Sequence, residues 1–120
     1  MLDFELLDTE GIVRVHPETP LLARDFAQLS ETVDRYLASH EDLKGLVIDT
    51  EDFPGWEDFS ALVSHLKFVR GHHRNIRRVA AVSDDKLMKL LPPIANHFSA
   101  AEVRHFNRDQ LNDAMSWVQQ

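Results

Sequence analysis

One hundred and twenty residues suit a single domain spanning 1–120, and 43% apolar content is enough for one core. Twenty Asp and Glu against thirteen Lys and Arg give a formal charge of -7, which argues against a general nucleic-acid binder; the lack of cysteine excludes disulfides, thiolate nucleophiles and Cys-based metal sites. No apolar run approaches the ~20 residues of a membrane span, and the acidic opening MLDFELLDTE lacks a signal-peptide pattern, so a cytoplasmic location is the default expectation.

In chain order, Phe4–Leu7 and Ile12–Val15 read as two short strands joined by a turn that ends in Gly11. His16-Pro17 and Pro20 break the second strand. A helix follows, with Leu22, Phe26, Leu29, Val33 and Leu37 on one face, ending near His40. Lys44–Asp49 is a strand. A helix from about Trp56 to His72 places Phe59, Leu62, Val63, Leu66 and Val69 on one face, and Val79–Val82 is the next strand. Pro92-Pro93 then interrupts a helical pattern, because an interior proline removes a backbone hydrogen bond and costs about 3 kcal/mol. Two short helices are therefore expected, Asp85–Leu91 and Pro93–Phe98, joined at a kink and suited to act as a movable flap. A strand at Val103–Phe106 leads to a last helix, which Asn107 caps with Gln110 three residues on and in which Leu111, Ala114, Met115 and Val118 face inward. Apolar strands alternating with amphipathic helices predict right-handed crossovers and a mixed, mostly parallel five-stranded sheet with about four helices.

The segment Phe53–Arg78 concentrates the polar chemistry. Glu51, Asp52, Glu57 and Asp58 lie at its start; Arg70, His72, His73, Arg74, Arg77 and Arg78 crowd its end. Acids at a helix N-terminus and cations at its C-terminus both suit the helix dipole, and Gly71 offers a point at which the chain leaves the helix. Arg70, Arg74, Arg77 and Arg78, with the two histidines, also form a candidate contact for anionic headgroups or an acidic partner. The seven histidines show no metal-ligand spacing and read as surface residues; neither a metal nor another cofactor is expected. Asp49, Asp52, Glu57 and Asp58 fall where ligands gather on a parallel sheet, yet no base, phosphate loop or nucleophile elbow accompanies them.

The order Leu46-Val47-Ile48-Asp49, Gly55-Trp56-Glu57-Asp58, Lys67 to Arg74 with His72-His73, Arg78-Val79-Ala80-Ala81-Val82-Ser83-Asp84 and Ala101 to Phe106 resembles the SpoIIAA-like branch of the STAS-domain proteins, a group structurally related to the lipid-binding Sec14/CRAL-TRIO domains. The resemblance implies a βα superhelix with helices mainly on one face of the sheet, and no known catalytic residues. STAS regulators of the anti-sigma-factor-antagonist type carry a phosphorylatable serine in the turn that corresponds to Phe53–Asp58, and here that turn has no hydroxyl. Gly55, Glu57 and Asp58 remain the candidate regulatory turn.

The expected function is a non-catalytic module for a small apolar or amphipathic ligand, a lipid included, with reversible association to a membrane surface. Trp56, Phe59, Val63, Leu66, Leu87, Leu90, Leu91, Ile94 and Phe98 are the candidate lining between the second helix and the kinked segment. The alternative is a protein-interaction regulator with a protein partner. A homodimer through an edge strand or the less covered sheet face is compatible with the residues.

Overall fold

The computed structural model describes residues 2–120, the side chain of Phe98 excepted. One sheet has the order β1 (Asp3–Leu7), β2 (Ile12–His16), β3 (Leu43–Asp49), β4 (Ile76–Val82), β5 (Glu102–Phe106). β1 and β2 form the antiparallel hairpin, with Leu7 opposite Ile12 and the Gly11 amide donating to the Leu7 carbonyl at 2.8 Å. Every other pair is parallel, and Val13, Leu46, Val79 and Val103 stand side by side as one row across four strands.

Three helices, α1 (Ala23–Leu37), α2 (Phe59–His72) and α3 (Lys86–Phe98), each carry the chain from one parallel strand to the next, always in the same direction across the sheet. Right-handed crossovers therefore place all three on one face, and α4 (Leu111–Gln119) returns over the other. Two cores result. On the first face Val13, Val15 and Leu46 pack under Phe26, Leu29, Val33 and Tyr36 of α1 and Phe68 of α2. On the second, Ile12, Val47, Ala80, Val82 and Phe106 pack under Ala114, Trp117 and Val118 of α4. Each fully buried Val, Leu or Ile contributes roughly 1.5–3 kcal/mol.

The close seat of α4 explains Gly45. A Cβ there would lie 2.5 Å from Val118 Cβ, so the helix sits directly on the β3 backbone. At the start of α1 the buried carboxylate of Asp25 accepts from Leu22 N at 2.8 Å and from Leu2 N at 3.0 Å, which caps the helix and ties the N-terminal strand to it.

Two expectations change. The predicted break at Pro92-Pro93 is absent: α3 runs unbroken through both prolines. Two rungs of its ladder are missing, but Lys89 N still reaches Asp85 O (3.2 Å) and Ser99 N reaches Ala95 O (2.9 Å). Met88 and Pro92, one turn apart, are buried where α3 meets β4 and β5, so packing holds the middle of the helix. Gly71 likewise does not end α2; it is an exposed helical residue, and the chain leaves through a single 3-10 turn at His73–Asn75.

Candidate binding surface

The loop from β3 to α2 is fixed at several points by its own polar groups. The buried Thr50 hydroxyl is shared between the carbonyls of Pro17 and Asp52, 3.0 Å from each. Ser83 donates to Glu51 O at 3.2 Å and accepts from Asp85 N at 3.0 Å. Asp85 caps α3 by accepting from Leu87 N, and with its other oxygen accepts from Phe53 N, both at 2.9 Å. Those two amides, Phe53 first, hold the Asp85 carboxyl below the ordinary carboxylate range. Gly55, at φ 81°, turns the chain so that its carbonyl accepts from Leu21 N while Glu57 N donates to Leu21 O, each 2.8 Å. Asp58 begins α2, its carboxylate accepting from Ala61 N at 2.9 Å. Asp58 thus acts as a helix cap.

Trp56 stands on this turn, 37% exposed, with Phe53 edge-on at 5.2 Å. Its indole Nε1 donates to Nδ1 of His65, whose ring stacks on Phe26 at 4.8 Å. Burial lowers the His65 pKa from its ordinary value, which favours the neutral ring that can accept the indole proton. His72, two turns further along α2, is buried between the Phe68 carbonyl and the Asp34 carboxylate, 2.8 Å from each. These two histidines belong to the α1–α2 interface, where surface positions were expected. Their spacing of seven carried that signal, since it matches Ala61, Phe68 and His72 as one inward face.

The opposite side of α2 is correspondingly open. Phe59 (77% exposed) and Leu66 (59%) face out, with Arg70 on the same row, while Val63 is half-buried. The face assigned to Phe59 and Leu66 therefore looks to solvent, because apolar residues ring this helix and α1 selects the side it covers.

On α3, Leu87, Leu90, Leu91 and Ile94 recur at i, i+3, i+4 and i+7 and all are exposed. Asn96 shows where this stripe points. Its side-chain amide pairs with both Val103 N and Val103 O at 2.7 Å, closing the free edge of β5 as another strand would. Leu87 lies nine residues from Asn96, two and a half turns, and so on the far side of the helix. The stripe turns away from the β5 edge, toward the side of the layer where α2 lies. Of the predicted lining residues, Leu87, Leu90, Leu91 and Ile94 are thus exposed on α3 and Phe59 and Leu66 on α2, whereas Trp56 sits against His65 on the α1 side and Val63 is half-buried; the Phe98 side chain lies outside the described residues.

The cationic cluster is divided. Arg77 pairs with Asp42 (3.6 Å), and Arg78 pairs with Glu102 (3.6 Å), donates to Trp117 O (2.6 Å) and lies over the Trp117 ring at 5.0 Å. His73 accepts from Ala100 N at 3.0 Å. Arg70 and Arg74 are exposed without an ion pair among the described residues. Of the carboxylates, Asp49 is occupied by Arg14 (3.3 Å) and Arg108 (3.8 Å). Among the described residues no group of three or more His, Asp or Glu is placed to hold a metal ion, and no helix is long and apolar enough to cross a membrane.

A mixed, mostly parallel five-stranded sheet with three helices on one face and one on the other defines an α/β protein of the SpoIIAA-like class. The SpoIIAA-like family model matches residues 12–119, and the chain belongs to that family. It is similar in structure to an uncharacterized protein of the DUF3478 family with a SpoIIAA-like fold from Shewanella loihica PV-4, at 21% identity and a TM-score of 0.76, over 98% of this chain and 92% of that one. No curated protein matches the chain. The fold is that of a general binding or regulatory module.

Proposed function

We propose that this chain is a non-catalytic binding module for a small apolar or amphipathic ligand, lipids included, which sits on the α2–α3 face and brings the protein reversibly to a membrane surface. One observation carries the reading: four large aliphatic side chains on α3, 40–66% exposed, recur at i, i+3, i+4 and i+7 as one stripe, and α2 also exposes Phe59 and Leu66. Scattered surface leucines need no explanation, but a contiguous apolar face on a small protein favours a ligand. Native mass spectrometry of gently purified protein tests it. A lipid-sized adduct that disappears in the Leu87→Ser, Leu91→Ser variant supports the reading, and a clean wild-type mass refutes it.

A protein-interaction regulator is the second reading, favoured by the pinned turn at Gly55–Asp58 with Glu57 exposed on it. Thr50 is an unsuitable switch, since its hydroxyl is buried and engaged. Under this reading Glu57→Lys abolishes partner capture and leaves any lipid adduct intact.

A further inference from the structure

We infer that β1 is a docking edge that takes an extended basic segment of a partner protein as a sixth strand of the sheet, independently of the α2–α3 face. The two edges of the sheet differ. Asn96 closes β5 by pairing with both backbone groups of Val103. β1 ends the sheet on the other side, and among the described residues no segment pairs with its outer edge. Alternate residues of Asp3–Leu7 therefore direct N–H and C=O groups away from β2, which is the template an added strand needs.

Charge selects the occupant. The first ten residues hold Asp3, Glu5, Asp8 and Glu10 and no Lys, Arg or His. In the hairpin register Asp3 stands opposite His16, and Glu5 opposite Arg14. Both basic side chains are nonetheless drawn away from β1. Arg14 reaches the Asp49 carboxylate at 3.3 Å; His16 holds the Asp49 carbonyl at 2.7 Å and Glu18 at 2.8 Å. Asp3 and Glu5 are left exposed, without an ion pair among the described residues. A cavity of about 350 Å³ lies along them, bounded further in by Arg14, His16 and Asp49. It is open because α4 packs chiefly over β3 and β4 and leaves this end of the hairpin bare.

The opposite face of β1 is apolar, with Phe4 and Leu6 half-buried against the first core. Side chains alternate along a strand, so a partner segment that alternates basic and aliphatic residues sets its cations beside Asp3 and Glu5 and its aliphatic groups beside Phe4 and Leu6. A second copy of this chain is disfavoured by the same acids. Antiparallel self-pairing centred on Phe4 sets Asp3 against Glu5, and centring on Glu5 sets the two Glu5 carboxylates together.

A fluorescent peptide of alternating lysine and valine, titrated with the full chain, tests the inference. Its anisotropy should rise at low salt and fall back at high salt, and the β1 amides should gain protection from hydrogen exchange in the complex. Methylating alternate peptide nitrogens, in either phase, keeps the charge but removes strand pairing and should abolish binding. Asp3→Asn and Glu5→Gln should each weaken binding about threefold, whereas Asp113→Asn on α4 should change it little. Absence of binding at low salt overturns the inference, as does equal binding of the methylated peptides or by the protein with both acids replaced. Protection of β1 that grows with protein concentration in the absence of peptide puts a second copy on the edge and equally overturns it.

Discussion

The indole of Trp56 donates its proton to Nδ1 of His65 across 3.1 Å, and this bond joins the turn before α2 to the interface that seats α2 on α1. It exists only while His65 is neutral at Nδ1. Burial lowers the His65 pKa from 6.5, so the folded protein binds a proton there less readily than the unfolded chain. The resulting stability is fully present above about pH 6.5 and is lost as pH falls through the lower folded value. Titrating tryptophan emission should show a transition below pH 6.5 that is missing from Trp56→Phe and from His65→Gln. Loss of the hydrogen bond is worth about 1 kcal/mol, a few degrees in melting temperature. An unchanged emission titration in His65→Gln would show that the bond does not couple the two elements.

Much of the sheet was legible from the residues because strands and crossovers depend on short-range pattern. Alternation in Ile12-Val13-Arg14-Val15-His16 places Arg14 and His16 on one face of the strand, and both are half-buried there beside Asp49. Asn107 and Gln110 form the expected capping box, and Asp85 the expected start of a helix. The side of α2 that packs was not legible. Apolar residues at 59, 62, 63, 66, 68 and 69 surround that helix, and only the aromatic face of α1 selects Phe68 and His65. The continuity of α3 was equally hidden, because the proline rule is local while Met88, Pro92 and Asn96 are held by the sheet.

Gly45 and Val118 should behave as one unit. A methyl group at position 45 meets Val118 Cβ at 2.5 Å and both its methyl carbons at 3.1 Å, so Gly45→Ala forces α4 outward. Overpacking of this kind costs about 1–3 kcal/mol. Val118→Gly alone opens a cavity in the second core, yet in the double variant the loss of the Val118 Cβ makes room for the new methyl. Urea unfolding of both singles and the double should show a favourable coupling of roughly 1 kcal/mol. Strict additivity would mean that α4 moves freely over β3.

Asn96 guards a strand edge. Asn96→Ala removes the partner of both backbone groups of Val103, which are exposed enough for water to replace it, so global stability should fall by less than about 1 kcal/mol. The local effect is larger. Hydrogen exchange at Val103 and along α3 should accelerate while β3 amides keep their protection. If Val103 exchange stays at its wild-type rate, something other than Asn96 holds the edge.

Asp85 links the β3–α2 loop to α3 through two amides, and its lowered pKa fixes the sign of its pH dependence. A carboxylate held below 3.8 stabilises the fold above that value, and the contribution is lost as pH falls through the folded pKa. Asp85→Ala should therefore speed exchange of the Phe53 and Leu87 amides at neutral pH and have little further effect in acid. Asp85→Asn keeps an acceptor oxygen and should restore part of the protection at Leu87. Protection unaffected by either change would sever the proposed link between loop and helix.

The two sides of α2 give the sharpest contrast. Phe68 is 6% exposed and packs between Phe26 and His72, whereas Phe59 is 77% exposed on the same helix. Phe68→Ala should cost about 3–5 kcal/mol through lost burial and the cavity left behind. Phe59→Ser, and likewise Leu90→Ser on α3, should change stability by no more than about 0.5 kcal/mol, since neither side chain gives up buried area. The same exposed substitutions should reduce binding of an apolar probe such as ANS, which Phe68→Ala does not do while the protein stays folded. A loss of several kcal/mol in Phe59→Ser would place that ring in the core and leave α2 without an open apolar face. Stability unchanged together with weakened probe binding is the combination expected of side chains kept for a ligand.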